Sequence, residues 1–239
     1  MSALDLEHLE RRVRVAARAL ARHGLVQAWG HCSARIDERH FLVCAAQPMG
    51  NIGVGQSGTV VAIDKPLPEG VLGEVRIHQQ VYAQRPEVGG VCRVMPPVTM
   101  ALSTLNLVPT PRHGVGAFVA GSQFWSDCRL LRDDGLAQAL VEKLGGAPAL
   151  VMRANGAVTV GSCIEVAAGL AWCLEDAARI EHSVRAITPD PDATLLTPDE
   201  VTARQVSTGR VFERLWSYMT NGDAEAFEEN ELCFERQRV

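Results

Sequence analysis

Three side chains able to take part in acid–base chemistry are spaced to lie on one face of a helix. Residues 73–85 read as a helical segment that carries Glu74, His78 and Tyr82 at intervals of four residues. Because an α-helix has about 3.6 residues per turn, side chains at this spacing share a face. A carboxylate can act as a general acid or base, and an imidazole titrates near neutrality. Glu74 is therefore a candidate for proton-transfer chemistry, and His78 and Tyr82 lie on the same face.

Several other histidines and cysteines, and one glycine-rich stretch, can be explained without a functional site. His23, His40 and His182 fall at a helix end, a turn and a helix surface, with no convergent partners evident for them. The seven cysteines are an odd number without CxxC or Cys/His finger spacing, so we expect reduced and mostly buried thiols. The glycine-rich stretch 49–58 lacks the preceding strand, following helix and downstream acid of a dinucleotide-binding fingerprint, and we interpret it as a pocket loop.

The overall composition is that of a globular protein and argues against several classes of function. A chain of 239 residues with 47% hydrophobic residues can bury a large core without disulfides or metals. A net charge of -5 without a block of Lys and Arg argues against nucleic acid as a partner. The N-terminus does not resemble a signal peptide and no run of about 18 apolar residues occurs, so we expect a cytoplasmic protein that does not enter a membrane.

The elements that must position these residues alternate between strands and helices. Strands are predicted in a hairpin at 30–36 and 41–44, and then at 59–63, 88–94, 149–152 and 157–160. Helices are predicted at 6–23, 73–85, 98–105, 134–144, 164–187 and 197–219. Residues 106–129 have no clear assignment. The alternation predicts one layered α/β domain over 1–239, with a core at about 6–187 and a helical C-terminal extension at about 197–239.

Three sequence motifs occur in an order and spacing that together are specific to one family. They are Gly30-His31-Cys32-Ser33-Ala34-Arg35, Glu74-x-x-x-His78-x-x-x-Tyr82-x-x-Arg85-Pro86-Glu87-Val88 and Asn155-Gly156-x-x-x-x-Gly161-x-x-x-Glu165-x-Ala167. They resemble the class II aldolase and adducin head family, over about residues 6–187. The resemblance implies a layered α/β/α fold with a central, mainly antiparallel sheet covered by helices. It also implies a homotetramer or other homo-oligomer with active sites at subunit interfaces.

The same resemblance implies a metal site whose histidines are replaced in this chain. Active members of the family hold a divalent metal with a His-x-His pair after a strand and a third histidine in a His-Gly turn. Arg93 and Met95 align with the pair, and Asn155 aligns with the third histidine. A guanidinium has no lone pair to donate, and a thioether or an amide is a poor ligand for a hard cation. We therefore predict that the chain holds no metal and uses no cofactor.

Glu74 matches the family's active-site acid and is expected to face Arg93, where the positive charge of the metal would otherwise lie. Arg93 could hold Glu74 or capture a substrate carboxylate, because a guanidinium matches carboxylates bidentately. The alternative is a buried structural ion pair, since loss of a metal obliges the protein to pair or neutralise the remaining acid.

The resemblance also bears on the substrate. Sugar-phosphate aldolases of the family carry a Ser-Ser-Glu run and an asparagine after the first glycine, whereas this chain has Leu72-Gly73-Glu74 and Gly30-His31. The Gly-His-x-Ser-x-Arg form is similar to a branch of dihydroxyphthalate decarboxylase-like proteins that act on unphosphorylated, carboxylated aromatics. We accordingly expect a small-molecule substrate, a carboxylate, bound by Ser33, Arg35, Arg93 and Asn155.

Four residues are the candidates for catalysis: His31, Glu74, Arg93 and His113. His113 is included because 111–114 lies in the irregular segment where the family's pocket loop runs. We expect all four to surround one pocket together with Asn155. His78 and Tyr82 are assigned to packing of the pocket wall, as the resemblance implies.

Three hypotheses of function remain open. The first is a metal-independent carbon–carbon or carbon–oxygen lyase, a decarboxylase, aldolase or dehydratase, in which Arg93 stabilises carbanion-like charge and Glu74 and a histidine move protons. The second is a non-catalytic binding or assembly protein like the adducin heads. The third is a metal-dependent lyase with rearranged ligands such as Glu74, His31 and His113. A solvent-reached cavity around the candidate residues would favour an enzyme, because a scaffold would tend to fill it with apolar side chains.

Overall fold

A seven-stranded sheet forms the centre of the protein, whose computed structural model describes residues 3–206 and 209–226. The strands are β1 (His31–Arg35), β2 (His40–Val43), β3 (Thr59–Ala62), β4 (Gly90–Val94), β5 (Gln123–Trp125), β6 (Ala149–Met152) and β7 (Ala157–Gly161). Their order across the sheet is β3-β2-β1-β4-β7-β6-β5, and each neighbouring pair runs antiparallel except β5 and β6. The prediction of a central, mainly antiparallel sheet is confirmed.

Helices cover both faces of this sheet. They are α1 (Ala3–Arg22), α2 (Arg76–Gln84), α3 (Pro97–Thr104), α4 (Asp134–Leu144), α5 (Ile164–Ile187), α6 (Pro198–Arg204) and α7 (Val211–Thr220). One hydrophobic core joins the sheet to α1, α5 and α7, and a second core joins it to α2 and α4. Consecutive strand residues alternate between the two, as Val91 in the second core and Cys92 in the first illustrate. The layered α/β/α arrangement is therefore also confirmed.

The segment that carries Glu74 begins as a 3-10 turn, Gly73–Val75, and continues as α2. The helix ends at Gln84, because Pro86 disfavours helical backbone at the residue before it. Ile77 and Val81 are fully buried and fix the helix against the sheet. The prediction of a helix over 73–85 is confirmed, with its first turn in the tighter form.

The segment 106–129, which the sequence left unassigned, contains a 3-10 turn, Gly116–Val119, and the edge strand β5. Strand β5 has three residues, all half-buried, and pairs in parallel with β6. Three residues are too few to show a hydrophobic period, which explains why the pattern alone did not reveal the strand.

The prediction of one helix over 197–219 is wrong. Helix α6 ends at Arg204 and α7 begins at Val211. Between them, Gly209 and Arg210 have φ angles of 88° and 55°, which belong to the left-handed region and interrupt a right-handed helix.

Helix α6 begins where the sequence predicts a helix start, at residues 197–200. The Thr197 hydroxyl oxygen accepts a hydrogen bond from the Glu200 N–H, and the Glu200 carboxylate accepts one from the Thr197 N–H at 2.8 Å. This reciprocal pair is a capping box, and Pro198 occupies the first helical position, where its missing N–H costs nothing. Of the predicted extension, 207–208 and 227–239 lie outside the described residues.

Six cysteines fall within the described residues and form no disulfide with one another. Cys32, Cys44, Cys92, Cys163 and Cys173 are buried, and Cys128 is exposed. This agrees with the expectation that the thiols are mostly buried. Within the described part of the chain, every helix is too short or too polar to cross a lipid bilayer.

Candidate active site

A cavity of about 440 Å³ lies where the ends of β1 and β4 meet the turn between β6 and β7. Cavities of this size suit small organic ligands. Its polar lining includes His31, Gln47, Glu74, Arg93, Arg132 and Asn155. The structure thus brings together four of the predicted site residues, namely His31, Glu74, Arg93 and Asn155.

The pairing of β1 with β4 sets two of these residues side by side. In the antiparallel register, His31 lies opposite Arg93, and Ser33 lies opposite Val91. Side chains alternate between the faces of a strand, so His31 and Ser33 project to the same face as Val91 and Arg93. Val91 packs in the core that contains α2, which identifies this face as the one that also carries the Glu74 turn.

Arg93 is the buried cation of the cavity, with a relative exposure of 3%. Its Nη2 atom lies 3.1 Å from Glu74 Oε2 and donates to Asn155 Oδ1 at 2.8 Å. Its Nη1 atom donates to the Val94 carbonyl at 3.3 Å and touches the sulfur of Met95. Burial lowers the pKa of Arg93, and the Glu74 charge opposes that shift. A guanidinium still keeps its charge at neutral pH.

Glu74 is held by both of its carboxylate oxygens. Oε2 faces Arg93, and Oε1 accepts a hydrogen bond from the backbone N–H of Leu131 at 3.2 Å. The side chain is 15% exposed, so it remains open to the cavity. The arrangement is an ion pair with one contact and an exposed edge, not a closed bidentate pair.

Asn155 reaches Arg93 because of a tight turn between β6 and β7. The Asn155 N–H donates to the Met152 carbonyl, and Gly156 has a φ of 73°. A Cβ atom at Gly156 would lie 2.1 Å from the Val94 carbonyl oxygen and 3.1 Å from Arg93 Nη1. Only glycine therefore lets the turn come this close to β4.

Three polar atoms of the site are buried and have no hydrogen-bond partner among the described residues: His31 Nε2, Arg93 Nε and Asn155 Nδ2. An unsatisfied buried polar atom costs about 1 to 3 kcal/mol. Three further atoms of this kind, His113 Nδ1, Trp125 Nε1 and Trp216 Nε1, lie on residues outside the cavity, so the residues of the cavity lining carry half of the unpartnered atoms.

His31 also begins a hydrogen-bonded chain that leads away from the cavity. Its Nδ1 atom lies 2.8 Å from His78 Nε2, and His78 Nδ1 lies 2.6 Å from Ser33 Oγ. Ser33 Oγ in turn lies 2.9 Å from the Tyr82 hydroxyl. Burial lowers the pKa of His31 well below its usual value and lowers the pKa of His78 to about 3, so both imidazoles are uncharged at neutral pH.

Three predicted site residues do not line the cavity. Ser33 is buried beneath His31, within the chain of hydrogen bonds. Arg35 donates to the carbonyl oxygens of Val88, Tyr82 and Arg85 and has no role in the lining. Their expected placement at the cavity is wrong, because both lie further along β1 than His31: Ser33 is fully buried, and Arg35 is partly exposed and holds the backbone around the end of α2.

His113 is the third. Its Nε2 atom pairs with Asp176 Oδ2 on α5 at 2.8 Å, away from the cavity. The part of the segment that carries His113 and the turn Gly116–Val119 lies against α5, and only the structure shows that path. The expectation that His113 joins the other candidates is wrong.

Arg132 lines the cavity and was missed by sequence reasoning. It lies between Leu131 and the Asp133 cap of α4, and its side chain is exposed. Among the described residues, no carboxylate comes within 4.0 Å of its guanidinium, so its charge is uncompensated there. No spacing or motif marks this arginine, because its position depends on the course of the loop before α4.

The residues at the cavity do not fit a divalent metal. Glu74 Oε2 and Asn155 Oδ1 are both directed at Arg93, whose guanidinium occupies the space between them and has no lone pair. The other neighbour is the Met95 thioether, a poor ligand for hard cations. Within the described residues, no group of three or more His, Cys, Asp or Glu side chains is arranged to hold a metal ion.

Comparison with known proteins agrees with this picture of the fold. Residues 11–182 match the protein family described as class II aldolase and adducin N-terminal domain. Two curated relatives are both named 3,4-dihydroxyphthalate decarboxylase. The protein from Terrabacter sp. (strain DBF63) is 28% identical over 188 residues, which cover 72% of this chain and 79% of the relative. The protein from Arthrobacter keyseri is 26% identical over 175 residues, which cover 65% and 70%.

Solved structures show the same fold at lower identity. An aldolase II superfamily protein from Pseudomonas syringae superposes with a TM-score of 0.72 at 23% identity, covering 92% of this chain and 95% of the other. The L-fuculose 1-phosphate aldolase from Glaciozyma antarctica PI12 superposes with a TM-score of 0.67 at 18% identity, covering 90% and 89%.

Proposed function

The chain belongs to the class II aldolase and adducin family, and on that premise we propose that it is a decarboxylase of small hydroxylated carboxylates that works without a metal ion. The observation that carries the proposal is the convergence of Glu74, Arg93, Asn155 and His31 on one cavity. The names of the two curated relatives favour decarboxylation over the aldol and dehydration reactions of other lyases.

The polar lining supports an enzyme over a non-catalytic scaffold. A scaffold with no ligand gains nothing from buried polar atoms that lack partners, and apolar side chains in their place would stabilise it. Here the unpartnered atoms belong to His31, Arg93 and Asn155. A substrate with several oxygen atoms would supply the missing partners.

The charges of the cavity favour an anionic substrate. Arg93 and Arg132 are positive and Glu74 is negative, so the ionised side chains of the lining leave one positive charge. Arg93, buried beside the reacting group, would hold the carboxylate that leaves, and the exposed Arg132 would hold a second carboxylate at the mouth. The proposed substrate class is accordingly a hydroxylated aromatic dicarboxylate such as 3,4-dihydroxyphthalate.

Substrate binding would change the partner of Arg93. A second carboxylate at this guanidinium places two negative groups around one positive charge, which favours the uptake of a proton by one of them. Glu74 is the group in place to carry that proton, since the Leu131 N–H already holds its other oxygen. The proposed roles are therefore Arg93 as carboxylate anchor and Glu74 as general acid.

The proposed reaction needs only these groups. The bond between the ring carbon and the carboxyl carbon breaks, CO2 leaves, and the electron pair of the bond stays on the ring carbon. That carbon takes a proton from Glu74 and forms a carbon–hydrogen bond, after which Glu74 regains a proton from solvent. The fixed positive charge of Arg93 stabilises the negative charge that passes from the carboxylate to the ring and its hydroxyl oxygen.

The test is to measure CO2 release by the purified protein from hydroxylated aromatic mono- and dicarboxylates, including 3,4-dihydroxyphthalate, with and without a chelator. We expect turnover that the chelator does not reduce, and that Arg93→Met lowers by a factor of about 100 to 1000, as for loss of a charge-stabilising donor.

Arg39→Met is the matched control, because Arg39 is exposed on the turn between β1 and β2 and its side chain contacts no described residue by hydrogen bond or ion pair. Equal activity of Arg93→Met and the unmodified protein would contradict the proposal. A folded protein that decarboxylates none of these compounds would contradict it as well.

A further inference from the structure

The hydrogen-bonded chain behind His31 fixes which of its ring nitrogens carries the proton. The chain joins His31, His78, Ser33 and Tyr82 in sequence, with separations of 2.8, 2.6 and 2.9 Å between successive polar atoms. Each uncharged imidazole has one N–H donor and one acceptor nitrogen, and each hydroxyl has one proton to donate. If Ser33 donates within the chain, the direction of donation at one end sets the direction along its whole length. If Ser33 instead accepted from both His78 and Tyr82, its own buried proton would have no acceptor among the described residues.

Two directions are possible in principle. If donation runs from Tyr82 toward the cavity, Tyr82 donates to Ser33, Ser33 donates to His78 Nδ1, and His78 Nε2–H donates to His31 Nδ1. His31 then carries its proton on Nε2. If donation runs the other way, His31 carries its proton on Nδ1 and its Nε2 atom is a lone-pair acceptor.

The buried end of the chain selects the first direction. Ser33 Oγ is the one hydrogen-bond partner of the Tyr82 hydroxyl within the described residues, and Tyr82 is 2% exposed. In the reverse direction Ser33 would donate to Tyr82, and the phenolic proton would have no acceptor at a site that solvent does not reach. That arrangement leaves a phenolic O–H unsatisfied at a place that no ligand reaches. The first direction also leaves one donor without a protein acceptor, His31 Nε2–H, but this donor belongs to a residue that lines the cavity.

The end at the cavity is consistent with this choice. His31 lines the cavity, its Nδ1 atom is turned toward His78, and its Nε2 atom is buried without a protein partner. A donor at Nε2 would be satisfied by an oxygen atom of a ligand bound beside Arg93, which lies opposite His31 in the sheet.

We propose that Tyr82, Ser33 and His78 are positioning residues that hold His31 as an uncharged hydrogen-bond donor, with its Nε2–H directed at a ligand oxygen in the cavity. The inference rests on the proposed function for the identity of that oxygen, a carboxylate or phenolic oxygen of the substrate. In this state His31 is neither a general base nor a metal ligand through Nε2. It adds a second donor beside Arg93 for the charge that develops on oxygen.

The test that needs no substrate is an NMR measurement of the histidine tautomers. In protein labelled with nitrogen-15 in its seven imidazoles, long-range correlation spectra distinguish a ring nitrogen that carries a proton from one that does not. His31→Gln and His78→Gln spectra assign the two signals. We expect both rings to be uncharged at pH 7 with the proton on Nε2, and the spectrum to be unchanged by added zinc.

A His31 ring protonated on Nδ1, a charged ring, or a tautomer that zinc shifts would each overturn the inference. None of these results depends on turnover, so they can be separated from failure of the proposed decarboxylase activity. Conversely, absence of CO2 release would leave the predicted tautomer as it stands.

A pair of tyrosine variants tests the role of the far end of the chain. Tyr82→Phe keeps the ring and removes the hydroxyl, so donation is no longer forced toward the cavity, and part of the His31 population should move to the Nδ1–H form. Tyr218→Phe is the matched control, because Tyr218 is the second of two tyrosines, is 60% exposed and lies outside the site.

Binding of phthalate, measured by calorimetry, should weaken by about fivefold to tenfold in Tyr82→Phe and stay unchanged in Tyr218→Phe. If Tyr82→Phe does not fold, Ser33→Ala breaks the same chain one link nearer the cavity, with the same expected change in tautomer. An unaltered His31 tautomer in a folded chain-breaking variant would contradict the positioning role.

Discussion

Two buried arginine–glutamate pairs in this protein use the same chemistry to different ends. In the pair of Arg112 with Glu181, the arginine Nε lies 2.6 Å from Oε2 and Nη2 lies 3.1 Å from Oε1, and both side chains are almost fully buried. Thr110 and Arg185 also donate to the Glu181 carboxylate. Burial alone would raise the pKa of Glu181, but these hydrogen bonds lower it to about 2.

The pair of Arg93 with Glu74 is incomplete by comparison. It has a single contact of 3.1 Å, and Arg93 Nε has no partner in the described structure. The side chain of Glu74 is 15% exposed, against 0% for Glu181. In the Arg112–Glu181 pair, several donors fill the carboxylate, and the pair fixes the loop before His113 to α5. In the Arg93–Glu74 pair, an arginine N–H is left without a partner beside a cavity. The number of hydrogen bonds on the carboxylate and the guanidinium therefore distinguishes the structural pair from the pair that we propose to be functional.

The largest expected difference between the two pairs is in stability. Arg112→Met removes two charge-assisted hydrogen bonds from the buried Glu181, which keeps Arg185 and Thr110, and should lower the free energy of unfolding by about 2 to 4 kcal/mol. Arg93→Met should cost only about 1 to 2 kcal/mol, because Glu74 keeps the Leu131 N–H and reaches solvent. Urea denaturation of the two variants measures both values, and equal costs would remove the distinction between the pairs.

The next effect is on turnover. Glu74→Gln keeps the shape of the side chain and loses the proton that it is proposed to transfer, so kcat should fall by a factor of about 100 to 1000. Phthalate binding should be retained or strengthened, because a negative charge leaves the cavity. Glu142→Gln, at an exposed position of α4, is the control. A Glu74→Gln enzyme with normal kcat would show that another group supplies the proton.

Lowering the pH should reduce the free energy of unfolding through His78 and through Glu181 in different pH ranges. His78 has a folded pKa of about 3 against 6.5 when unfolded, so the unfolded chain binds more protons between those values, and stability falls as the pH drops below 6.5. Glu181 has a folded pKa of about 2 against 4.5, so its contribution is lost only as the pH falls below 4.5.

Between pH 6.5 and 4.5, the His78 side of the protein should therefore lose up to about 1.4 kcal/mol of unfolding free energy per pH unit, while Glu181 contributes no loss. Denaturation of the unmodified protein and of His78→Gln across this window measures the effect. The slope should become shallower in His78→Gln and stay unchanged in Arg112→Met. A slope that depends on Arg112 instead would contradict the assignment of the two windows.

The smallest effect concerns the exposed cation at the cavity mouth. Arg132→Gln should raise KM for a dicarboxylate by about threefold to tenfold and leave kcat almost unchanged, since an exposed charge contributes binding of about 1 kcal/mol. A monocarboxylate substrate should show no difference between Arg132→Gln and the unmodified enzyme. Sensitivity of kcat to this change would place Arg132 at the reacting group and not at the mouth.

The sequence predicts the helices and strands around the cavity better than it predicts which individual side chains line it. The succession of strands and helices along the chain follows from hydrophobic pattern and turn signals. The facing of Glu74 and Arg93 and the approach of Asn155 are expectations that come from the family resemblance. Ser33 illustrates the limit: the motif predicts a substrate contact, but Ser33 lies buried in the hydrogen-bonded chain behind His31, a position that the sequence pattern does not reveal.

The positions of His113 and Arg132 could not be predicted for a related reason. Both lie in irregular segments, and their places depend on the path of the chain over α5 and before α4. The break between α6 and α7 depends on the left-handed conformation of Gly209 and Arg210, which no hydrophobic period reveals. The homo-oligomer that the family resemblance implies stays a prediction.

The most direct test of the central claim, that Arg93 takes the place of a metal, is to measure metal content and CO2 release on one preparation of the purified protein. Plasma mass spectrometry after dialysis without chelator gives the first quantity, and the assay before and after added chelator, zinc or manganese gives the second. The account predicts far less than one metal ion per chain and turnover that none of these additions changes. One tightly held ion per chain, with activity that chelation abolishes and the metal restores, would contradict it.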